Sequence, residues 1–461
     1  MENGKEIKST IRNGFVFAYP VAIALCGGLL CRFVPDGGQW LVSILLILAA
    51  FGSYLFYARL GGCLVDLRAL LSLSWLFGLG LANLRLSNLH EPWTDTSILS
   101  FFGFFALTML TYETCRSLPK KKEAEECSEE ERSRVTKALY TLIPVTSGIS
   151  FLCFCAEVVK LRYIPLFATF THAYNYFHVT GLHYFTFSSM FTHALTVLFL
   201  MFAKKEERDR KRMRVILIAN ILSLLIPILC VSKLQFLLVF FYPVMILLLK
   251  LRFKKFTDLP LKKIGIVALI MAVVLLLAGF VFTVRRNYPE GYLQGIFDMK
   301  DPETPEIAQL LYMYVSNNYA NFNHMTLTLA EHSHGLRCAF PIVALTGLKF
   351  AAPSLIPPDA LLIKKELSTL SVIYDAYFDF GLIGVFVFSI LFGALLAGIT
   401  GLNERKQKKN PITLLMCAEL ALYAGLSFFD TWFSNPTSWF WFAITILMYI
   451  YVEHQRRRGR S

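Results

Sequence analysis

Charged residues are scarce in this chain of 461 residues. Only 17% of them are Asp, Glu, Lys or Arg, whereas 56% are hydrophobic and the mean hydropathy is +0.54. Because soluble domains are about one quarter charged, this composition excludes a soluble enzyme, a coiled coil and a disordered scaffold. The 41 Phe and 20 Tyr suit lipid-facing surfaces and headgroup belts. The sequence therefore predicts a membrane protein.

Residue patterns that would hold a metal or a disulfide framework are also missing. Nine of the ten Cys lie in or beside apolar stretches or in a charged loop, so no disulfide framework is expected. Cys153 and Cys155 have no second pair at zinc spacing, and the chain has no Asp-x-Asp. In the cluster of Glu331, His332 and His334 the two His lie two residues apart, and no further ligand is apparent at a suitable spacing. We expect neither a metal nor another cofactor.

Apolar stretches long enough to cross a bilayer recur along the chain. The first follows Lys5, Lys8 and Arg12 and lacks a small-residue cleavage site, which indicates a span and not a removed leader. We predict an all-α polytopic membrane protein with about twelve transmembrane helices. These predicted spans lie near residues 14–34, 40–58, 67–85, 97–114, 137–159, 183–203, 215–232, 234–250, 264–284, 372–401, 411–429 and 438–452.

The distribution of Lys and Arg predicts the orientation of these spans. With the N-terminus in the cytoplasm, 33 of the 45 Lys and Arg lie on the cytoplasmic side and 12 at the outer side, as the positive-inside rule requires. Both termini are then cytoplasmic. The apolar stretch 338–356 could pass for a thirteenth span, but it would move the basic clusters at 405–409 and 456–460 outside. We therefore predict that it is re-entrant or interfacial.

The same pattern divides the chain into five parts. Residues 1–114 form a four-helix membrane part, and the segment 115–137, rich in both charge signs, is a charged cytoplasmic linker. Helices five to nine occupy 138–284. One large outer loop between helices nine and ten spans 285–371, and the last three helices with a basic tail occupy 372–461. Because long loops are usually functional, we expect chemistry in 285–371.

Polar and aromatic side chains in the outer loops are candidates for binding sugars. In the long loop, Asn317, Asn318, Tyr319 and Asn321 combine amides with ring faces, although an amphipathic helix on the bilayer would look similar. The loop also contains Arg337. The earlier outer loop, 160–182, mixes aromatic and hydrogen-bonding groups in the same way. Its candidates are Arg162 and His178, together with His183 at the start of the following helix.

Three cations lie at predicted outer helix ends, against the positive-inside trend. Arg285 and Arg286 end the ninth predicted span, and Lys233 lies in the short turn between the seventh and eighth. Basic residues at helix ends commonly extend toward lipid headgroups. They could instead hold a lipid-linked pyrophosphate, because Arg binds phosphate oxygens through two parallel hydrogen bonds and Lys adds a point charge.

Four blocks between about residues 140 and 400 resemble the Wzy-type oligosaccharide repeat-unit polymerases of O-antigen and capsular polysaccharide synthesis. The blocks are 164–167 with 178–183 (IPLF and HVTGLH), 232–234 (SKL), 285–286 (RR) and 369–384 (TLSVIYDAYFDFGLIG). The resemblance implies a GT-C-like glycosyltransferase on the outer face of the bacterial cytoplasmic membrane. It would join polyprenyl-pyrophosphate-linked repeats, with Arg285 and Arg286 neutralising the leaving pyrophosphate without a metal.

The chain departs from relatives of this family at two places. Where they often have Arg after the Ser of the second block, this chain has Lys233, which keeps the charge but not the two-pronged geometry. The related O-antigen ligases have His-Asn eleven residues before the first Gly of Gly-x-x-Gly, where this chain has Leu370 and Ser371. This favours a polymerase and leaves the general base open. Candidates, each of which could instead bond a helix end, are Asp375, Asp379 and His324.

Two other functions remain open from the sequence. A flippase for lipid-linked oligosaccharides also suits twelve helices, but transporters carry ionisable groups near the membrane midplane, and Glu419 is the clearest one here. A membrane O-acyltransferase acting on polysaccharide is the enzymatic alternative. The expected partners are polyprenyl-pyrophosphate-linked oligosaccharides and membrane lipid, with a flippase and a chain-length regulator as possible protein partners and no nucleic acid.

Overall fold

The computed structural model describes residues 2–35, 37–118, 127–168, 173–258 and 291–458, together with Lys262, Gly265, Ile266, Leu269 and Val273. Most of the ninth predicted span, 264–284, and both Arg285 and Arg286 lie outside the described residues.

The described residues form helices joined by turns and contain no β-strand, which confirms the all-α prediction. The longer helices are α1 (Glu2–Phe33), α2 (Gln39–Gly61), α3 (Leu67–Asn83), α4 (Asp95–Ser117), α5 (Glu129–Leu161), α6 (Met190–Phe202), α7 (Arg210–Cys230), α8 (Lys233–Lys250), α9 (Glu306–Thr328), α10 (Leu336–Leu345), α11 (Tyr374–Lys406), α12 (Ile412–Gly425) and α13 (Pro436–Arg457). Shorter helices are Ala173–Tyr176, Leu182–Thr186, Tyr292–Phe297 and Leu348–Ala351. The 3-10 turns are Pro165–Phe167, Phe187–Ser189, Lys205–Glu207, Phe256–Asp258 and Pro353–Leu355.

Eight helices in the described part are long and apolar enough to cross a membrane, so the chain is a polytopic membrane protein. They comprise α2, α4, α5, α7, α8 and α11 with Gly14–Phe33 of α1 and the continuous stretch Leu182–Phe202 that ends in α6. Two further predicted spans correspond to the shorter apolar helices α3 and α12. The last predicted span corresponds to α13, which has 22 residues and ends in the polar run Glu-His-Gln-Arg-Arg.

Side chains in the connecting turns determine where several helices begin. Asp66, Thr94 and Asp209 each accept a hydrogen bond from a backbone N–H in the first turn of α3, α4 and α7. Ser128 and Glu131 form a reciprocal capping box at the start of α5. The second half of the charged segment 115–137 is therefore the first turns of α5.

Contacts between helix ends in the described part of the bundle fall into two groups. At one end, Arg32 of α1 forms an ion pair with Asp95 of α4 at 2.7 Å. We call this the long-loop end, because backbone bonds join 86–88 to 298–300 there. At the opposite end, Arg116 of α4 pairs with Glu404 of α11 at 2.6 Å.

The segment 291–371 is largely helical and packs on the bundle. Its longest helix, α9, lies against α3 and α4, where Tyr319 contacts the rings of Trp75 and Phe101 in the main core. The next helix, α10, packs on α11 and α13, and most of it belongs to the stretch 338–356. This segment therefore supplies walls to the long-loop end.

Candidate functional site

Two cavities lie next to each other at the long-loop end. The larger, which we call the apolar groove, has a volume of about 760 Å³, and the smaller, the polar cavity, has a volume of about 230 Å³. Ser434 and Trp439 line the groove, whereas Asp430, Asn435 and Ser438 line the polar cavity. The segment 430–441 is therefore a wall common to both.

The apolar groove follows α11 for more than five turns. Its lining is almost entirely hydrocarbon and aromatic side chains, and its polar groups gather at the beginning of α11. The apolar lining includes Val372, Phe380, Ile383, Val387, Phe388, Leu391, Phe392, Leu395 and Phe433. The polar groups are His332, His334, Cys338, Asp379 and Ser434. Such a lining suits an extended apolar chain that carries a polar group at one end.

A break in α11 gives the groove its shape. Gly381 has φ 61° and ψ −148°, a conformation that side chains with a Cβ strongly disfavour. A Cβ on Gly384 would lie 2.0 Å from the carbonyl oxygen of Ala376, so the two turns approach too closely for any other residue. The Gly-x-x-Gly of the fourth resemblance block is therefore a bend in the wall of the groove.

Asp375 and Asp379, predicted to be catalytic, both bond to the start of α10. Asp379 accepts hydrogen bonds from the backbone N–H groups of Arg337 (3.2 Å) and Cys338 (2.7 Å) and from the Ser333 hydroxyl. Asp375 accepts from the Arg337 guanidinium, whose Nη1 donates to the carbonyl oxygen of Pro358 at 2.6 Å. Both carboxylates are thus used to anchor α10 to α11, and Asp379 also lines the groove.

The polar cavity combines aromatic rings with hydrogen-bonding groups. Its lining residues are Tyr174, His183, Phe187, Leu234, Asp430, Trp432, Asn435, Thr437, Ser438 and Trp441. Asp430 accepts from the backbone N–H of Thr431 at 2.7 Å and from the Asn435 amide at 3.3 Å. Burial raises the pKa of Asp430 to about 6. This lining offers ring faces for stacking and a carboxylate, an amide and hydroxyls for hydrogen bonding.

His183 forms a hydrogen bond with a buried carboxylate. Glu157 in α5 has no exposed surface, and its oxygens accept from the Val179 N–H (3.0 Å), His183 Nδ1 (3.1 Å) and the Thr186 hydroxyl (2.7 Å). These three donors offset the cost of burying the carboxylate. Sequence reasoning missed Glu157, although an acidic residue within an apolar span is a recognised signal. It also missed Asp430, Trp432 and Trp441, which no local pattern distinguishes.

Two buried polar atoms of the cavity wall have no hydrogen-bond partner among the described residues. They are the hydroxyl oxygen of Ser438 and the indole Nε1 of Trp441. Buried polar groups are usually paired, because an unpaired one costs about 1–3 kcal/mol. The residues that line the cavity therefore include one unpaired donor and one unpaired hydroxyl.

The predicted sugar-binding residues of α9 lie inside the protein. Asn317 donates to the carbonyl oxygen of Leu367 at 2.9 Å, and Asn321 bonds to Leu367, Thr369 and Ile363. Asn318 donates back to its own helix, and the Tyr319 hydroxyl donates to Trp75 at 3.0 Å. These side chains fix α9 against its neighbours, and they line neither cavity.

The remaining predicted residues lie around the cavities. Lys233 begins α8 beside Leu234, which lines the polar cavity, while Arg162 ends α5 with an exposed side chain. The exposed His178 ring lies 5.0 Å from His183. His324 is half-buried near the end of α9 and lines neither cavity. Of the three predicted pyrophosphate-binding cations, Lys233, Arg285 and Arg286, only Lys233 is described.

A third cavity, of about 490 Å³, lies at the opposite end of the bundle. Its charged groups pair with one another: Arg68 bonds to Asp66 and Glu113 at 2.7 Å, and Arg116 bonds to Glu404 at 2.6 Å. Mutual pairing of this kind serves to hold α3, α4 and α11 together.

No group of three or more His, Cys, Asp or Glu with metal-binding geometry occurs among the described residues. Comparison with protein-family models, with curated proteins and with solved structures finds no match for this chain.

Proposed function

We propose that this protein is a GT-C-type glycosyltransferase with about twelve spans that polymerises oligosaccharide repeat units carried on polyprenyl pyrophosphate. In this proposal it works on the outer face of the bacterial cytoplasmic membrane. The long-loop end then faces outward, and both termini lie in the cytoplasm.

The observation that carries the proposal is the common wall between the apolar groove and the polar cavity. A lipid-linked oligosaccharide has a long hydrocarbon chain and a sugar head, so it needs an apolar surface next to hydrogen-bonding groups. The groove offers about 760 Å³ of mainly apolar space, and the polar cavity next to it has a volume of about 230 Å³. Segment 430–441 contributes to both sites.

The resemblance blocks add a second line of support. His183 of the first block and Leu234 of the second line the polar cavity. Six residues of the fourth block line the groove: Val372, Ala376, Asp379, Phe380, Ile383 and Gly384. These blocks are separated by about fifty residues or more in sequence, yet they border two adjoining cavities. Arg285 and Arg286, the third block, lie outside the described residues.

The reaction would transfer the growing chain from its lipid carrier to a fresh repeat. A hydroxyl of the acceptor sugar forms a bond to the anomeric carbon of the donor, and the bond from that carbon to the pyrophosphate breaks. The electron pair leaves on the pyrophosphate, and the hydroxyl proton passes to a base. Cations of the clamp, Lys233, Arg285 and Arg286, would stabilise the charge that develops on the leaving group.

Purified protein given defined lipid-linked repeats tests the proposal. We expect a ladder of longer glycans and released polyprenyl pyrophosphate, also in the presence of EDTA. Translocation without elongation would identify a flippase, and transfer of an acyl group would identify an O-acyltransferase. Activity that EDTA abolishes and magnesium or manganese restores would contradict the metal-independent mechanism.

A flippase is the second candidate, and the buried Glu419 favours it. Glu419 in α12 has no exposed surface; one carboxylate oxygen accepts from the Tyr423 hydroxyl at 2.8 Å, and the other has no partner among the described residues. Ionisable groups at such positions in membrane helices commonly serve transport. A Glu419→Gln variant that still elongates glycan would speak against this alternative.

A further inference from the structure

The pairing of Glu157 with His183 gives the polar cavity a polarised imidazole. A carboxylate oxygen of Glu157 lies 3.1 Å from Nδ1 of His183. Because a carboxylate only accepts hydrogen bonds, Nδ1 carries the proton of the ring. In the described part of the chain no hydrogen-bond partner occupies the other ring nitrogen, Nε2, and the His183 side chain is 14% exposed where it lines the cavity. An imidazole held in this way presents the lone pair of Nε2 as a proton acceptor.

The rest of the cavity wall is suited to hold a sugar against this imidazole. The rings of His183 and Phe187 lie 5.2 Å apart, and Phe187 stacks on Trp441 with ring centroids 6.1 Å apart. The unpartnered Trp441 Nε1 and Ser438 hydroxyl can bond to sugar oxygens. A single sugar ring suits a cavity of about 230 Å³.

We propose that the polar cavity binds the acceptor sugar and that His183, oriented by Glu157, is the general base of the transfer. This inference rests on the proposed polymerase function and assigns the one role that the sequence leaves open. His183 Nε2 takes the proton of the attacking hydroxyl as its oxygen bonds to the anomeric carbon. Glu157 keeps its charge, stabilises the imidazolium that forms, and acts as a positioning residue.

The other candidate bases are less well placed. Asp375 accepts from Arg337, and Asp379 accepts from two backbone N–H groups of α10, so both have structural partners. His324 lines neither cavity. Asp430 lines the same cavity as His183, so the experiment has to distinguish these two residues as the base.

Kinetics with the purified full chain test the assignment, using lipid-linked repeats extracted from a deletion strain. We expect His183→Gln and Glu157→Gln to lower kcat by about 10²–10⁴-fold, with little change in KM for the acceptor. Added imidazole should raise the kcat of a His183→Ala variant. It should not change the kcat of Glu157→Gln. His454→Ala, an exposed position in the last turn of α13, is the matched control and should retain full activity.

Binding is tested separately from proton transfer. Trp441→Phe and Ser438→Ala each remove one group that can bond to the sugar, so we expect KM for the acceptor to rise about 3- to 10-fold. Unchanged KM in both variants would overturn the acceptor site. Protein level and thermal midpoint are measured for every variant, and His183→Gln decides the base if Glu157→Gln does not fold.

The possible failures are distinguishable. A wild-type protein that elongates nothing overturns the polymerase proposal and the base with it. A wild-type protein that elongates glycan while His183→Gln retains its kcat overturns the base alone. Loss of turnover in Asp430→Asn with normal turnover in His183→Gln would assign the base to Asp430 and contradict the inference.

Discussion

Arg337 forms a buried ion pair at the long-loop end of the bundle. Its guanidinium bonds to Asp375, with the two side chains 11% and 4% exposed, and lies 4.8 Å from the centre of the Phe378 ring. A buried carboxylate that loses its cation keeps the full cost of desolvation. We therefore expect this ion pair to stabilise the packing of α10 on α11.

Replacing Arg337 by Met should lower the free energy of unfolding by about 3–5 kcal/mol, because Asp375 is left uncompensated. The double variant Arg337→Met with Asp375→Leu should recover much of this loss. Thermal midpoints in detergent measure both. If the double variant is as unstable as the single one, the ion pair is not the source of the effect.

Asp430 should make stability depend on pH. Burial raises its pKa to about 6, above the ordinary value of Asp, so the folded protein binds this proton more tightly than the unfolded chain. Its contribution is therefore favourable at low pH and is lost as the pH rises from about 4 to 6, by roughly 2–3 kcal/mol. Thermal midpoints across this window should fall more steeply for the wild type than for Asp430→Asn. Equal slopes would contradict the raised pKa.

The proposed pyrophosphate clamp is tested at Arg285 and Arg286. Each Ala variant should lose charge-assisted hydrogen bonds worth about 1.5–3 kcal/mol, which is about ten- to a hundredfold in rate if they act in the transition state. Lys should rescue only partly, because it cannot make two parallel hydrogen bonds. Polymer length on gels is the measurement. Normal polymer in the double Ala variant at normal protein level would refute the clamp.

At the scale of elements, the bend in α11 has a direct test. Gly381→Ala places a Cβ where φ is 61°, which should cost about 1–3 kcal/mol or straighten the helix and narrow the groove. Gly398→Ala is the matched control in the same helix, because no atom lies within 4 Å of the added Cβ. That change should be neutral or stabilising by up to about 1 kcal/mol. Equal thermal midpoints and equal activity of the two variants would show that the bend is dispensable.

Helix positions could be predicted from hydropathy, but several helix ends could not. The predicted span 137–159 is the middle of α5, which begins at Glu129 because Ser128 and Glu131 cap it. The span predicted at 411–429 corresponds to α12, which ends at Gly425, and the following residues turn toward Asp430. Hydropathy measures the affinity for lipid, whereas helix ends depend on capping and on tertiary contacts.

At the scale of the whole molecule, the proposed orientation predicts which end of the bundle is accessible from outside. In a background without native Cys, Lys300→Cys should react with an impermeant thiol reagent in intact cells. Lys204→Cys, at the opposite end, should react only after the cells are permeabilised. The reverse pattern would place the proposed site in the cytoplasm and exclude the outer-face mechanism.

The sequence by itself determined that this is an all-helical membrane protein and where most of its helices lie, because hydropathy is a local property of consecutive residues. Only the tertiary structure decided which polar groups meet. Glu157 and His183 form a hydrogen bond although they are 26 residues apart in sequence. Asp430, which is much further along the chain, lines the same cavity as His183. The amides of Asn317 and Asn321, which resembled a sugar surface, bond instead to the chain itself. Contacts between residues distant in sequence carry no local pattern, so packing alone could place them.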